Sequence, residues 1–466
     1  MKFIFKAIFF IFDKKMNFKS YFFILFVSMQ FFAQTDQRVY DIINSVSAQR
    51  IEKDIQILAN FGTRNTFSDT VSETRGIGAA RRFIKAEFDN ISKECKNCLN
   101  VFYQKDYVVK KEGERIPKDA WVVNVVAIQK GTKYPNRYIV MSGDIDSRNS
   151  DTMDFLGDAP GANDNASGMA GAIEAARVLS KYKFENSIIY LGLSGEEQGL
   201  FGGQGLVEYA AKNNWEIIGI FNNDMIGNIE GVDGVIDNRT FRIFSEPNSP
   251  LETEADRKKR RSFGFESDGK SRQLARYVEK QTKTYMPEMN PMLVFRLDRF
   301  GRGGHHKPFT DKGVPGIRIM EAHENYVRQH QNTRVENGIN YGDVIAGVNF
   351  EYAKKLTAVN ALNLASLAWA PPPPRNVLIG GIVEPSTKLA WDKSVGEVAG
   401  YKIYWRLTTS PQWEFSRFVG DVAEFTLNGL VIDNYYFGVA AVGKNGFESE
   451  VVFTNDIIRK AAADKK

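Results

Sequence analysis

Thiols and imidazoles, two of the side chains that build protein metal centres, are scarce in this sequence: 466 residues carry two cysteines and four histidines. With Cys95 and Cys98 as the whole thiol complement, a four-thiolate zinc site is excluded, because it would need a second pair. In an exported chain the Cys-Lys-Asn-Cys spacing reads as a local disulfide, and a redox role would need a βαβ pattern around it. The N-terminal apolar run, Tyr21 to Phe32, is too short to span a bilayer comfortably. Preceded by Met16-Asn17-Phe18-Lys19 and followed by Ala33-Gln34, it reads as the centre of a signal peptide over residues 1–34, with Met16 as the candidate true start. Charge of one sign is lacking too. Residues 1–34 hold five lysines and one aspartate, so their removal takes the formal charge from +5 to +1 and leaves no footprint for nucleic acid.

What is present is ordinary globular composition in a chain long enough for two or three domains. Apolar residues recur at helical spacing from Val39 to Asn90, a helical preface. Ala120–Ile128 and Arg137–Met141 read as strands, the Ala-rich stretch Gly168–Leu179 as a helix, and Ser187–Leu193 and Trp215–Phe221 as buried strands. That order predicts a sheet covered by helices on both faces, with sites at the carboxyl ends of its strands. Asn248–Asp268, with its basic run Arg257–Arg261, reads as a solvated loop. Ser271–Lys283 is expected to be a helix, Met292–Leu297 and Pro315–Met320 strands, and Asp343–Leu367 a closing helix. Pro371–Pro374 then ends the domain. Beyond it the period becomes two, in Lys388–Trp391, Gly400–Trp405 and Tyr435–Val442. These strands, with Trp391 and the Tyr435-x-Phe437-x-Val439 pattern, resemble a fibronectin type III domain.

Chemistry gathers at strand exits. Ser142-Gly143-Asp144-Ile145-Asp146, Ala162-Asn163-Asp164-Asn165-Ala166, Ser194-Gly195-Glu196-Glu197-Gln198 and Asn222-Asn223-Asp224-Met225 each place acids where a predicted strand ends. Gly303-Gly304-His305-His306 adds two of the four histidines. Carboxylates crowded at one sheet edge repel one another unless cations or protons intervene, so together these stretches have the composition of a metal site.

In this order the stretches resemble the co-catalytic zinc aminopeptidase family of the aminopeptidase Y type, which includes secreted bacterial leucine aminopeptidases and shares its fold with glutaminyl cyclases. The resemblance spans residues 40–370 and is most specific in Asn-Asp-Asn-Ala-Ser-Gly, Ser-Gly-Glu-Glu-Gln-Gly and Asn-Asp-Met-Ile-Gly. It implies that Asp164 bridges two metals, that Glu197 and His306 complete one of them, and that Asp224 serves the other with Asp144. It further implies Glu196 as general base, Asp146 as the group that orients a ligand, and a cis peptide between Asp164 and Asn165. Asp144 stands where the family has histidine, and His305 where it has aspartate, which leaves His305 open between ligand and surface imidazole. His323 and His330 fit solvated or supporting roles, and Tyr326 fits a packed aromatic.

The expected fold is therefore an α/β domain with a mixed, mostly parallel sheet (residues 35–370), a proline linker (371–374), an all-β immunoglobulin-like sandwich (375–457) and a charged tail (458–466). The expected function is that of a metal-dependent aminopeptidase, secreted, periplasmic or on the surface of a bacterium. It would hydrolyse peptides with a free N-terminus through metal-activated water and Glu196. Two divalent ions, zinc by expectation, would be bound, with the Asp144 position open to other metals and a surface or polymer contact through the C-terminal module. A glutaminyl cyclase-type reaction and an exported binding protein with an impaired metal site are the alternatives.

Overall fold

The computed structural model describes residues 35–459, so the expected signal peptide and all but two residues of the charged tail lie outside the described residues. From Gln37 onward the chain forms one compact unit. Helices α1 (Gln37–Ser45), α2 (Ala48–Asn60) and α3 (Gly76–Glu94) make the helical preface. Then follow β1 (Leu99–Val108), β2 (Ala120–Gln129), β3 (Tyr134–Asp144), α4 (Ala166–Leu179), β4 (Asn186–Leu193), the single turn α5 (Glu196–Gly199), α6 (Phe201–Lys212) and β5 (Glu216–Asn223). The second half of the domain holds β6 (Thr240–Ser245), α7 (Glu254–Phe263), α8 (Lys270–Tyr285), β7 (Asn290–Val294), α9 (His306–Thr310), β8 (Gly316–Glu321), the short pair β9 (Arg334–Glu336) and β10 (Ile339–Tyr341), and α10 (Phe350–Trp369).

Eight strands form one mixed sheet in the order β1-β2-β4-β3-β5-β8-β6-β7. The pairs β4–β3, β3–β5, β5–β8 and β6–β7 are parallel, and β1–β2, β2–β4 and β6–β8 antiparallel. The alternation of side chains along each strand divides the core in two. Ile188 and Tyr190 of β4 join the cluster under α2, α4, α8 and α10, while Ile189, Leu191 and Leu193 join Leu206, Val207 and Phe309 on the other face. Every residue of β4 is buried, so the acids that follow it emerge from the centre of the domain.

The alanines of α4 let it lie close to the sheet, and Gly168 in its first turn is required. A Cβ there would stand 2.1 Å from the Asn223 carbonyl oxygen. Asn165 caps this helix by accepting the Gly168 N–H at 3.0 Å. The closing helix begins at Phe350 rather than Asp343, because Asn349 caps it by accepting the Tyr352 N–H. Asn248–Asp268 is not only loop: Thr253 and Asp256 form a capping box that starts α7, a helix with no buried residue. Strands β1 and β6 and helix α6 have no counterpart among the sequence expectations. Cys95 and Cys98 are disulfide-bonded. Among the described residues no helix is long and apolar enough to cross a membrane.

After the prolines the chain builds β11 (Arg375–Gly380), β12 (Thr387–Asp392), β13 (Val398–Leu407), β14 (Phe415–Gly420), β15 (Glu424–Leu427), β16 (Tyr435–Gly443), β17 (Val452–Phe453) and β18 (Asp456–Ile457). They form two four-stranded sheets, β15-β12-β11-β18 and β14-β13-β16-β17, which share one core around Leu389, Trp391, Ile403 and Val439. This module is docked, not tethered. Buried Arg276 of α8 donates to the Pro411 carbonyl at 2.6 Å, Lys280 pairs with Glu448 at 2.7 Å, and the rings of Trp369 and Phe447 lie 4.9 Å apart.

Candidate active site

The turn after β4 delivers two acids because one buried carboxylate holds its backbone. Gly195 takes a φ of 80°, a conformation that suits glycine, and the first amides of α5 turn inward. Asp146 accepts the N–H groups of Gly195, Glu196 and Glu197 at 2.9, 3.3 and 3.1 Å and the Thr66 hydroxyl at 3.1 Å. Asp146 therefore acts on the loop that carries Glu196 and Glu197.

Asp164, on the loop between β3 and α4, is fixed in the same manner. Asp343 accepts the N–H groups of Asn163 and Asp164 at 2.8 and 2.6 Å. Arg64, buried beneath the loop, donates to the carbonyls of Ile145 and Gly161, both at 2.8 Å. The Asp164–Asn165 peptide is cis, as the resemblance implied, and Asp224–Met225 is cis as well.

Three side chains converge here. Nε2 of His330 lies 2.9 Å from Oδ2 of Asp164 and 3.0 Å from Oε1 of Glu197, and their ligand atoms all fall within 4.8 Å of one another. Two carboxylates and one imidazole are a donor set that suits zinc and leave a fourth position open. The trio corrects two expectations. His306 does not join Glu197: its Nε2 faces the Leu297 carbonyl at 2.8 Å and Asp298 at 3.9 Å. His330, expected to be solvated or supporting, takes that place from the loop after β8.

The remaining acids meet other partners. Both oxygens of Asp144 are engaged, Oδ1 by Nδ1 of His305 at 2.5 Å and Oδ2 by the Asn165 amide at 2.7 Å. His305 is fully buried, neither a surface imidazole nor a member of the trio. Asp224 stands against Arg318, whose Nη2 is 2.8 Å from Oδ2. Nε of Arg318 donates to the Asp224 carbonyl at 2.5 Å, and Nη1 reaches Oδ2 of Asp298 at 2.9 Å and the Gly303 carbonyl at 2.8 Å. Asp144 and Asp224 were expected to share a metal with Asp164, but among the described residues the trio is the single such convergence.

Charge is distributed accordingly. Burial works to raise Asp164, yet His330 and Gln329, which donates to it at 3.0 Å, hold it well below the usual carboxylate range. Glu197 is likewise held low against burial by His330, despite Asp164, with Arg148 at 2.7 Å helping. His330 is raised to about 9 by Glu197 and Asp164, against burial. Glu196 is pushed well above its ordinary value by burial and then by Glu197 and Asp224. Burial raises Asp144 to about 8 and Asp146 to about 6 and lowers His305 to about 4, so one proton shared within the His305–Asp144 pair leaves it uncharged.

Glu197 and His330 of the trio line a cleft of about 790 Å³ together with Glu196, Arg115, Arg148 and Arg302. Tyr326 is 56 % exposed and not a packed aromatic. Sequence reasoning missed His330, Asp343, Asp298 and Arg318. One signal was readable: a charged residue between Ile317 and Ile319, inside an expected strand, must find a counter-charge if that strand is buried, as β8 is throughout.

A family model described as peptidase family M28 matches residues 124–345. A probable zinc metalloprotease of Leptosphaeria maculans is 40% identical over 420 residues, covering 90% of this chain and 97% of the relative. Another of Pyrenophora tritici-repentis is 36% identical over 421 residues, with the same coverage of 90% and 97%. Among solved structures, the LapA aminopeptidase of Legionella pneumophila aligns with a TM-score of 0.52 at 18% identity, over 74% of this chain and 79% of that one. That likeness speaks for the fold.

Proposed function

Because the chain belongs to peptidase family M28, we propose that it is a zinc exopeptidase acting at the free amino terminus of peptides, with Asp164, Glu197 and His330 holding the metal and Glu196 as general base. The observation that carries this reading is the convergence of the trio beside Glu196 at the wall of an open cleft. Zinc held there would polarise a carbonyl oxygen and lower the pKa of water beside it. Glu196 takes the proton of the attacking water and passes it to the leaving amine; its raised proton affinity suits a group that must hold that proton between the two transfers. Arg148 Nη2 lies 2.6 Å from Nδ1 of His330. With Nε2 committed to a metal the ring proton would sit on Nδ1, and Arg148 would then serve Glu197 alone, which it already meets at 2.7 Å.

The test is hydrolysis of aminoacyl amides by the full chain. Chelation should abolish turnover, zinc should restore it, and N-acetylated substrates should be left intact; cleavage that survives chelation would reject the metal role. A second reading, cyclisation of amino-terminal glutamine at a single zinc, is favoured by the presence of one trio. Release of ammonia from glutaminyl peptides without peptide cleavage would select it. Export is supported by the Cys95–Cys98 disulfide, which persists in oxidising compartments. The two C-terminal sheets around one core support a fibronectin type III-like module, a place for contact with a surface or polymer.

A further inference from the structure

We propose that Arg318 is a fixed cation standing in for a second metal, so that this chain binds one divalent ion where the resemblance implies two. The inference rests on the trio being the zinc site. A second ion would have to be held by Asp144, Asp164 and Asp224, and each of the two acids outside the trio is committed elsewhere.

Asp144 gives one oxygen to His305 and the other to Asn165. Asp224 forms an ion pair with Arg318 through Oδ2, 2.8 Å from Nη2 without hydrogen-bond alignment, and its backbone carbonyl accepts from Nε. Arg318 cannot withdraw into solvent, since it is fully buried on β8. Its register partner on β5 is Asn222, two residues before Asp224, so the sheet itself sets the guanidinium beside that acid. Asp298 and the Gly303 carbonyl hold the same guanidinium from the far side. Moving it would leave Asp224 a buried carboxylate without its cation and Asp298 with Arg299 in place of two arginines. A dication placed against Asp224 would meet a like charge in a medium that screens poorly. Asp224 Oδ1 and His305 Nε2 do remain without partners, but among the described residues no second set of three ligand atoms converges on any point.

The substitution is coherent as chemistry. Asp144 in place of histidine exchanges a neutral donor for an acid, and the His305 ring stands against that acid at 2.5 Å. Arg318 then balances Asp224 with a single positive charge that needs no metal supply.

The experiment is zinc stoichiometry of the full chain, stripped by chelator and dialysed against excess zinc, read by elemental analysis and calorimetric titration. One equivalent is expected. Two tight equivalents would overturn the proposal while sparing the peptidase reading, and zero would overturn both. His330→Ala should fall to no tight equivalent, and one equivalent retained in that variant would reveal a separate site and overturn the proposal. Arg318→Gln, where it folds, should gain affinity for a second ion by at least tenfold; unchanged stoichiometry in folded R318Q would show that the guanidinium is not what excludes the ion.

Discussion

The acid cluster has two halves solved in different ways. Around Asp164 and Glu197 the partner is His330, an imidazole whose Nε2 can release its proton to solvent and take a metal instead, in a loop at the edge of a cleft. Around Asp224 and Asp298 the partner is Arg318, which holds its charge at every accessible pH and is sealed inside the sheet. The difference teaches that a row of strand-exit acid motifs does not by itself count metal ions. What counts them is whether the acids' partners can leave.

The strongest way to break this comparison is at the group that belongs to neither half. Glu196→Gln should lower kcat by about 10²-fold or more while zinc content stays unchanged; a parallel fall in zinc would make Glu196 a ligand instead. Next in size is the contrast between two histidines. His330→Ala should weaken zinc binding about 100-fold or more, whereas His306→Ala should leave it within about threefold, as competition with a chromophoric chelator would show. The reverse order would restore the arrangement expected from sequence.

That pair of histidines also marks how far the sequence could be read. Asp144, Glu196, Glu197 and Asp224 are legible because each follows an apolar run, Asp164 because of its Asn-Asp-Asn-Ala-Ser-Gly stretch, and Asp146 because it shares the first of those runs. The sheet's centre, β2 to β5 with α4, is legible for the same reason: its periodicity is set by burial on both faces. His330 is not, because it sits in an irregular loop with no periodicity, and its approach to Glu197 depends on how the chain returns after β8. Strand β6 was lost for a related reason, a short element between turns whose partners β7 and β8 lie far along the sequence. The docking of the C-terminal module was hidden as well, since Arg276 on α8 looks like any solvent-facing cation of an amphipathic helix until Pro411 is brought to it.

A smaller effect should come from Asp343, which touches Asp164 through backbone amides alone. Asp343→Ala should reduce zinc affinity about 10-fold, with kcat at saturating zinc changed less, because it loosens the loop and removes no ligand. Outside the site, read as stability and not as zinc affinity, is Asp54 on α2, an acid raised to about 7 by burial and then by Glu87 and Glu174, with Lys53 and Arg50 opposing only in part. The unfolded chain gives up this proton near 3.8, the folded protein near 7. Stability from this group is thus complete below the lower value and lost as pH rises toward the upper one. Asp54→Asn should match the parent protein in acid and exceed it by about 1–3 kcal/mol at pH 8 in urea unfolding. No gain at pH 8 would mean that the Asp54 charge is already compensated.

The most direct measurement is a crystal structure of the full chain grown in excess zinc, with anomalous differences collected on both sides of the zinc edge. The account predicts one peak among Asp164, Glu197 and His330, with the Arg318 guanidinium still against Asp224. A second peak between Asp144 and Asp224, with Arg318 displaced, or a single peak coordinated by His306, would contradict it.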